Sequence, residues 1–173
     1  MNIRKTIVTS LVVFALTAAS LAQQVKTDYD RDANFSKYKT FSFEKIQTED
    51  PLWVDRIKSA VGASLTARGL SQVDSGGDIS VVAVGMTKTQ QRLDTFYNGF
   101  GGGWRWGGRF GDATTTTETY QVGTLVVDLF DSNTKELLWR GSASGTVSNK
   151  SDSNIKNLDK GVQKMFKKYP PKA

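Results

Sequence analysis

The stretch from Thr114 to Ser148 constrains the fold more than any other feature, because its second arm alternates in character with a period of two. A Thr-rich run leads into Tyr120, Val122, Leu125, Val126, Val127, Leu129 and Phe130, a polar break spans Asp131 to Lys135, and a second arm runs from Glu136 to Ser148. In the second arm the odd positions are Leu137, Trp139, Gly141, Ala143, Gly145 and Val147, and the even ones from Arg140 on are Arg140, Ser142, Ser144, Thr146 and Ser148. Successive side chains of a strand point to opposite faces, so one side of this arm covers a core while the other meets water. The break holds the small polar residues that close turns through local hydrogen bonds. The stretch therefore predicts a β-hairpin.

The amino-terminal residues read differently. Arg4 and Lys5 precede an apolar run from Ile7 to Leu16, too short for an ordinary membrane span, and Ser20-Leu21-Ala22 places small residues at both cleavage-determining positions. The expectation is a secretory signal over residues 1–22, cut before Gln23, with an uncleaved membrane anchor as the alternative. Residues 23–173 have the length of a single domain with one core. Loss of Arg4 and Lys5 leaves 21 of the 23 basic residues against 17 acidic ones, a net charge of +4. That balance is mild and does not argue for nucleic acid. Cysteine and histidine are both absent, which removes disulfides, thiol nucleophiles, imidazole bases and zinc sites of the Cys/His kind.

Val25 to Asp32 reads as an opening strand with Asp28, Asp30 and Asp32 on one face. The D-x-D-x-D spacing invites a calcium loop, but the sixth position is Ala33 where Gly is needed and the twelfth is Lys39 where Glu is needed, so a solvated strand face is expected instead. Asn34 to Lys39 predicts a turn, and Thr40 to Glu44 a second strand. Asp50-Pro51 opens a helix over Leu52 to Arg68, with Asp50 as N-cap; Val54, Ile57, Val61 and Leu65 form its apolar stripe, and Gly69 is its left-handed terminator with Leu70 folding back. Leu70 to Val73 suggests a short strand. Ile79 to Arg92 predicts a long one, whose apolar start suggests cover on both sides and whose polar end runs out beyond the core. Near the carboxyl terminus, Ser151 or Ser153 caps a second helix with Ile155, Leu158, Val162, Met165 and Tyr169 as its buried stripe. Lys164, Lys167 and Lys168 suit the negative end of its dipole, and Pro170-Pro171 stops it.

Tyr97 to Gly111 stands apart: its aromatic rings are spaced by glycine, and Arg105 and Arg109 are its only charges. So much glycine holds no regular element, because each residue costs backbone entropy to fix, and a loop between strands is expected. No phosphate-binding glycine motif fits it. Phe100, Trp104, Arg105, Trp106, Arg109 and Phe110 form the candidate binding set, suited to stacking on sugars, inserting at a lipid interface or seating a protein partner. The bland alternative is a low-complexity connection whose rings fold back on the sheet.

Catalytic motifs are sparse in the sequence. Ser153 to Lys156 is formally S-x-x-K, yet the companion S-D-N and K-T-G motifs are missing. Asp128, Asp131 and Glu136 lie near the hairpin turn and are a conceivable acid/base group, although acidic residues also sit at turns for local reasons.

Taken together, the segments Asp28-Tyr29-Asp30, Phe35-Ser36-Lys37-Tyr38-Lys39-Thr40-Phe41, Gly123-Thr124-Leu125-Val126-Val127-Asp128, Leu138-Trp139-Arg140-Gly141 and Phe166-Lys167-Lys168-Tyr169-Pro170-Pro171 resemble the domain-of-unknown-function 4136 family, exported bacterial proteins often described as lipoproteins. The resemblance spans the whole chain after the leader. It implies an α+β domain with a mainly antiparallel sheet and two helices, and brings no reaction or catalytic residue. Lipoprotein members carry a cysteine after the signal where this chain has Gln23, so no thiol is present to acylate.

The resulting expectation is an α+β fold: a single, mainly antiparallel twisted sheet of five or six strands with both amphipathic helices packed on one face. The functional expectation is an exported protein, periplasmic or alternatively extracellular, acting as a non-enzymatic binding or scaffolding module. No cofactor, no metal, no nucleic acid and no integral span after signal cleavage are expected; the partner is an envelope protein, a glycan or a lipid surface. A carboxylate-dependent hydrolase of envelope glycan or peptide, and peripheral lipid binding through the Gly/Trp loop, are the alternatives.

Overall fold

A computed structural model of the chain describes residues 23–97 and 113–171. Among these, six strands form one sheet: β1 (Gln24–Tyr29), β2 (Thr40–Gln47), β3 (Ser71–Gln72), β4 (Ile79–Tyr97), β5 (Ala113–Asp131) and β6 (Leu137–Thr146), in the order β1-β6-β5-β4-β2-β3. The hairpin expected from the period-two pattern is β5 and β6, with Leu125 opposite Ala143 and Val127 opposite Gly141. Asp131 closes its turn by accepting from the N–H groups of Asn133 (2.9 Å) and Thr134 (3.1 Å) through Oδ1. Lys135 takes a left-handed φ of 62° there.

The sheet is mixed rather than mainly antiparallel. β4, β5, β6 and β1 pair antiparallel in succession, whereas β2 runs parallel to both β4 and β3. The cause is the helix α1 (Leu52–Thr66), which follows β2 and carries the chain back before the next strands begin. A helical crossover of this kind returns a chain in the direction it started. The alternation in β2 reports only which residues face inward and is silent on the neighbour's direction.

Helix α1 buries Ile57, Val61 and Leu65 of the stripe read from the sequence, while Val54, in its first turn, is only half-buried, and the helix ends at Gly69 with φ of 90°. The Leu70 N–H reaches back to the Leu65 carbonyl at 3.3 Å and the Leu70 side chain is buried, as the terminator argument requires. At its start the cap residue is Pro51; Asp50, one residue earlier, accepts from the Leu52 N–H at 3.0 Å. Helix α2 (Ser151–Phe166) buries Val162, Met165 and Phe166, with Tyr169 buried just beyond. Neither Ser151 nor Ser153 caps it. Lys150 occupies the cap position without a side-chain bond, and Asn154 instead reaches back to Ser148, accepting from its N–H and donating to its carbonyl, both at 2.7 Å.

One core joins Val61 and Leu65 of α1, Val162 and Met165 of α2, and Phe41, Ile79, Val81, Val127, Leu129 and Trp139 of the sheet. Strand β4 is not covered on both sides as expected: Ile79, Val81 and Ala83 are buried while Val82 and Val84 between them are half-buried. A register shift between Leu129 and Phe130 also exchanges two neighbours, so that Leu138 is buried and Leu137 is 38% exposed. Strand β1 stops at Tyr29, which leaves Asp30 and Asp32 beyond it rather than on its face.

Strands β4 and β5 outrun their neighbours. β2 pairs with β4 only as far as Val84, and β6 pairs with β5 only from Val122 onward. Past those points the two continue as a ribbon to a last pair, Tyr97 with Ala113, five residues beyond the expected end at Arg92.

Candidate functional site

The positions in the buried register of the sheet are Ile79, Val81, Ala83 and then Gly85 on β4, Leu129, Val127, Leu125 and then Gly123 on β5, and Trp139, Gly141, Ala143 and then Gly145 on β6. Large side chains fill the core up to Ala83 and Leu125, and three glycines come next where both helices begin. The result is a cleft of about 550 Å³. A Cβ at Gly145 would have nothing nearer than Gln23 Cγ at 3.8 Å, and one at Gly85 would lie 3.4 Å from Ile57 Cδ1. The missing side chains are therefore what keeps the space open.

Trp53 and Ile57 from α1, Leu158 from α2, Met86 from β4 and Val147 after β6 supply apolar wall. The Arg56 guanidinium lies over the Trp53 ring, 5.1 Å from its centroid. Polar groups ring the mouth: Glu49 and Asp50 before α1, Asn154 and Asn157 on α2, and Gln23, whose Nε2 donates to the Asn157 carbonyl at 2.7 Å. Among the described residues that line the cleft, Glu49 and Asp50 alone are charged, so the rim is acidic. Apolar walls with a few polar groups at the rim are chemically suited to an amphipathic or cationic ligand.

The six residues singled out from the sequence, Phe100, Trp104, Arg105, Trp106, Arg109 and Phe110, all lie outside the described residues. The structure places their point of attachment, at the far end of the ribbon beyond Tyr97 and Ala113. The hairpin carboxylates are not gathered into one constellation. Asp128 is bound through both oxygens by Arg140 Nε (2.6 Å) and Nη2 (2.7 Å), which holds the guanidinium pKa above its usual value. Asp131 is held well below the usual carboxylate range by the N–H groups of Thr134 and Asn133, then by the Tyr38 hydroxyl at 2.8 Å and Lys37 Nζ at 3.1 Å. A carboxyl so placed is an acceptor and has no proton to give near neutrality. Glu136 accepts from the Thr134 hydroxyl at 3.1 Å. Asp28 and Asp30 bond locally, to the N–H groups of Tyr29 and Asp32. Among the described residues no group of three or more His, Cys, Asp or Glu side chains is arranged to hold a metal.

Sequence reading missed Gly85, Gly123 and Gly145 as a set, and with them Trp53 and Asn154. The available signal was parity: each glycine continues the buried register of its strand at a position where Val or Leu would be expected.

The family model described as Domain of unknown function (DUF4136) matches residues 25–171. No curated protein matches the sequence. Among solved structures, a PDZ domain protein from Parabacteroides distasonis is similar at 16% identity and a TM-score of 0.55, over 86% of this chain and 36% of that one, so the chain spans about a third of that protein's length. A PelC dodecamer from Paraburkholderia phytofirmans is similar at 13% identity and a TM-score of 0.50, over 83% of this chain and 95% of that one. A minor lipoprotein from Acinetobacter baumannii is similar at 16% identity and a TM-score of 0.36, over 76% of this chain and 92% of that one. At these identities the likeness is one of fold.

Proposed function

The chain belongs to the DUF4136 family, and we propose that it is an exported, non-enzymatic binding module of the bacterial envelope whose ligand seats in the cleft between the two helix starts. The observation that carries this reading is the glycine-floored cleft of about 550 Å³, walled by Trp53, Ile57 and Leu158. Both helices are read as lying on one face of the sheet, which makes the cleft the gap between them at the end where the core runs out. Export to the periplasm is supported by Arg4 and Lys5, the apolar run Ile7 to Leu16 and the small residues Ser20 and Ala22. Among the described residues no helix is long and apolar enough to cross a membrane. The local bonds taken up by Asp128, Asp131 and Glu136 weigh against the hydrolase alternative.

Gly145→Leu tests the reading, since a Cβ at Gly145 meets nothing nearer than Gln23 Cγ at 3.8 Å and Gly145 lines the cleft. Crosslinking capture from envelope extract with the wild type and with this variant, each checked for an unchanged circular-dichroism spectrum, is the measurement. Loss of the captured species in the variant supports the cleft as the binding place, and identical capture removes it.

A further inference from the structure

We infer that the cleft of one molecule receives the glycine and aromatic segment, residues 98–112, of a second copy of this chain. The inference rests on the cleft being the binding place. The two surfaces are chemically complementary: the cleft offers apolar walls, a floor without side chains and a rim charged by Glu49 and Asp50. The segment offers Phe100, Trp104, Trp106 and Phe110, with Arg105 between the two tryptophans, Arg109 before Phe110 and Asp112 as its one acid, a net charge of +1. Rings fill such a space, and guanidinium groups answer an acidic rim.

Reach works against the segment entering the cleft of its own chain. From Thr87 at the cleft to Tyr97 at the end of the ribbon is ten residues of strand, about 33 Å at the usual rise. Trp104 lies seven residues past Tyr97 and Trp106 seven before Ala113, so even a fully extended chain brings either Cα back by only about 25 Å. A second molecule presents its cleft without that restriction. A two-stranded ribbon is also only marginally stable by itself in water, and seating its end against another molecule supplies the missing burial. The contact joins two different surfaces, tip to cleft, so it is head-to-tail and repeats from copy to copy.

The test compares the protein purified after expression of the full chain with a variant in which residues 98–112 are replaced by Asn-Gly, the two-residue link suited to the Tyr97–Ala113 pair. Light scattering over a hundredfold range of concentration is expected to show association of the wild type and a monomer for the variant. A synthetic peptide of residues 98–112 is expected to bind the monomeric variant, followed by calorimetry. Adding Gly145→Leu, or Glu49→Lys should the first fail to fold, is expected to weaken that binding at least tenfold. The inference is overturned by a wild type that stays monomeric, by association that survives the Asn-Gly replacement, or by a peptide that binds the cleft variants undiminished. If the peptide fails while Gly145→Leu still abolishes capture from envelope extract, the binding-module reading stands and only the second-copy occupant is removed.

Discussion

Trp139 and Phe166 are stacked, with ring centroids 4.7 Å apart and planes 25° from parallel. Tyr169 meets both edge-on, at 5.7 and 5.8 Å, so three rings clasp β6 to the end of α2. Gly141 makes room for this clasp, since a Cβ there would overlap the Trp139 ring. Phe166 is 1% exposed, and its removal leaves a hole that rigid neighbours cannot fill. Phe166→Ala is therefore expected to lower the unfolding free energy by about 3–5 kcal/mol, read from urea titration. Val84→Ala, at a half-buried position on the other side of the sheet, is expected to cost under about 1.5 kcal/mol. Equal losses would contradict the placement of the core.

Acid sensitivity follows from Asp131. Its pKa is depressed in the folded chain, so it adds stability above the ordinary carboxylate pKa of about 3.9, and that stability is lost as pH falls below this value toward the folded pKa. Asp78 acts in the same direction, held down by the N–H groups of Lys39 and Thr40. The urea midpoint of the wild type is expected to drop steeply between pH 4 and pH 2, and that of Asp131→Asn to start lower at pH 7 and fall less. Lys37→Met is expected to change the profile little, because the Lys37 side chain is 55% exposed and water screens its charge. A parallel profile for Asp131→Asn would place the acid sensitivity elsewhere.

Local patterns proved readable where a single segment decides the outcome. The β5–β6 hairpin, three of the four residues of the α1 stripe (Ile57, Val61 and Leu65, with Val54 half-buried) and the stop at Gly69 each follow from spacing within one stretch. The parallel pairing of β2 with β4 was not readable, because it depends on where α1 returns the chain. The exchange of Leu137 and Leu138 escaped for a related reason, since an extra residue in one strand is invisible until its partner's register is known. The cleft is the extreme case: Gly85, Gly123 and Gly145 come from three strands and make a space only when the sheet aligns them.

Gly69 gives a direct test of the helix terminator. Its φ of 90° is strained for any residue with a Cβ, while no atom within 4 Å would obstruct one. The cost of Gly69→Ala is then purely conformational, about 1–2 kcal/mol. Gly69→Asn is expected to cost less, since asparagine tolerates the left-handed region. Thermal unfolding of the two variants distinguishes this account from one based on packing, in which the larger asparagine would be the worse.

Asn154 links the start of α2 to the wall of the cleft. Its Oδ1 accepts from the Ser148 N–H and its Nδ2 donates to the Ser148 carbonyl, each at 2.7 Å and half-buried. At about 0.5–1.5 kcal/mol per bond, Asn154→Ala is expected to cost roughly 1–3 kcal/mol and to speed hydrogen exchange in the first turn of α2. Asn154→Asp keeps the acceptor and gains from the positive end of the helix dipole, but sets a carboxylate oxygen against the Ser148 carbonyl. Its stability is expected to fall between the wild type and Asn154→Ala. A value below that of Asn154→Ala would mean that repulsion between the carboxylate and the Ser148 carbonyl outweighs both the retained bond from the Ser148 N–H and the helix dipole.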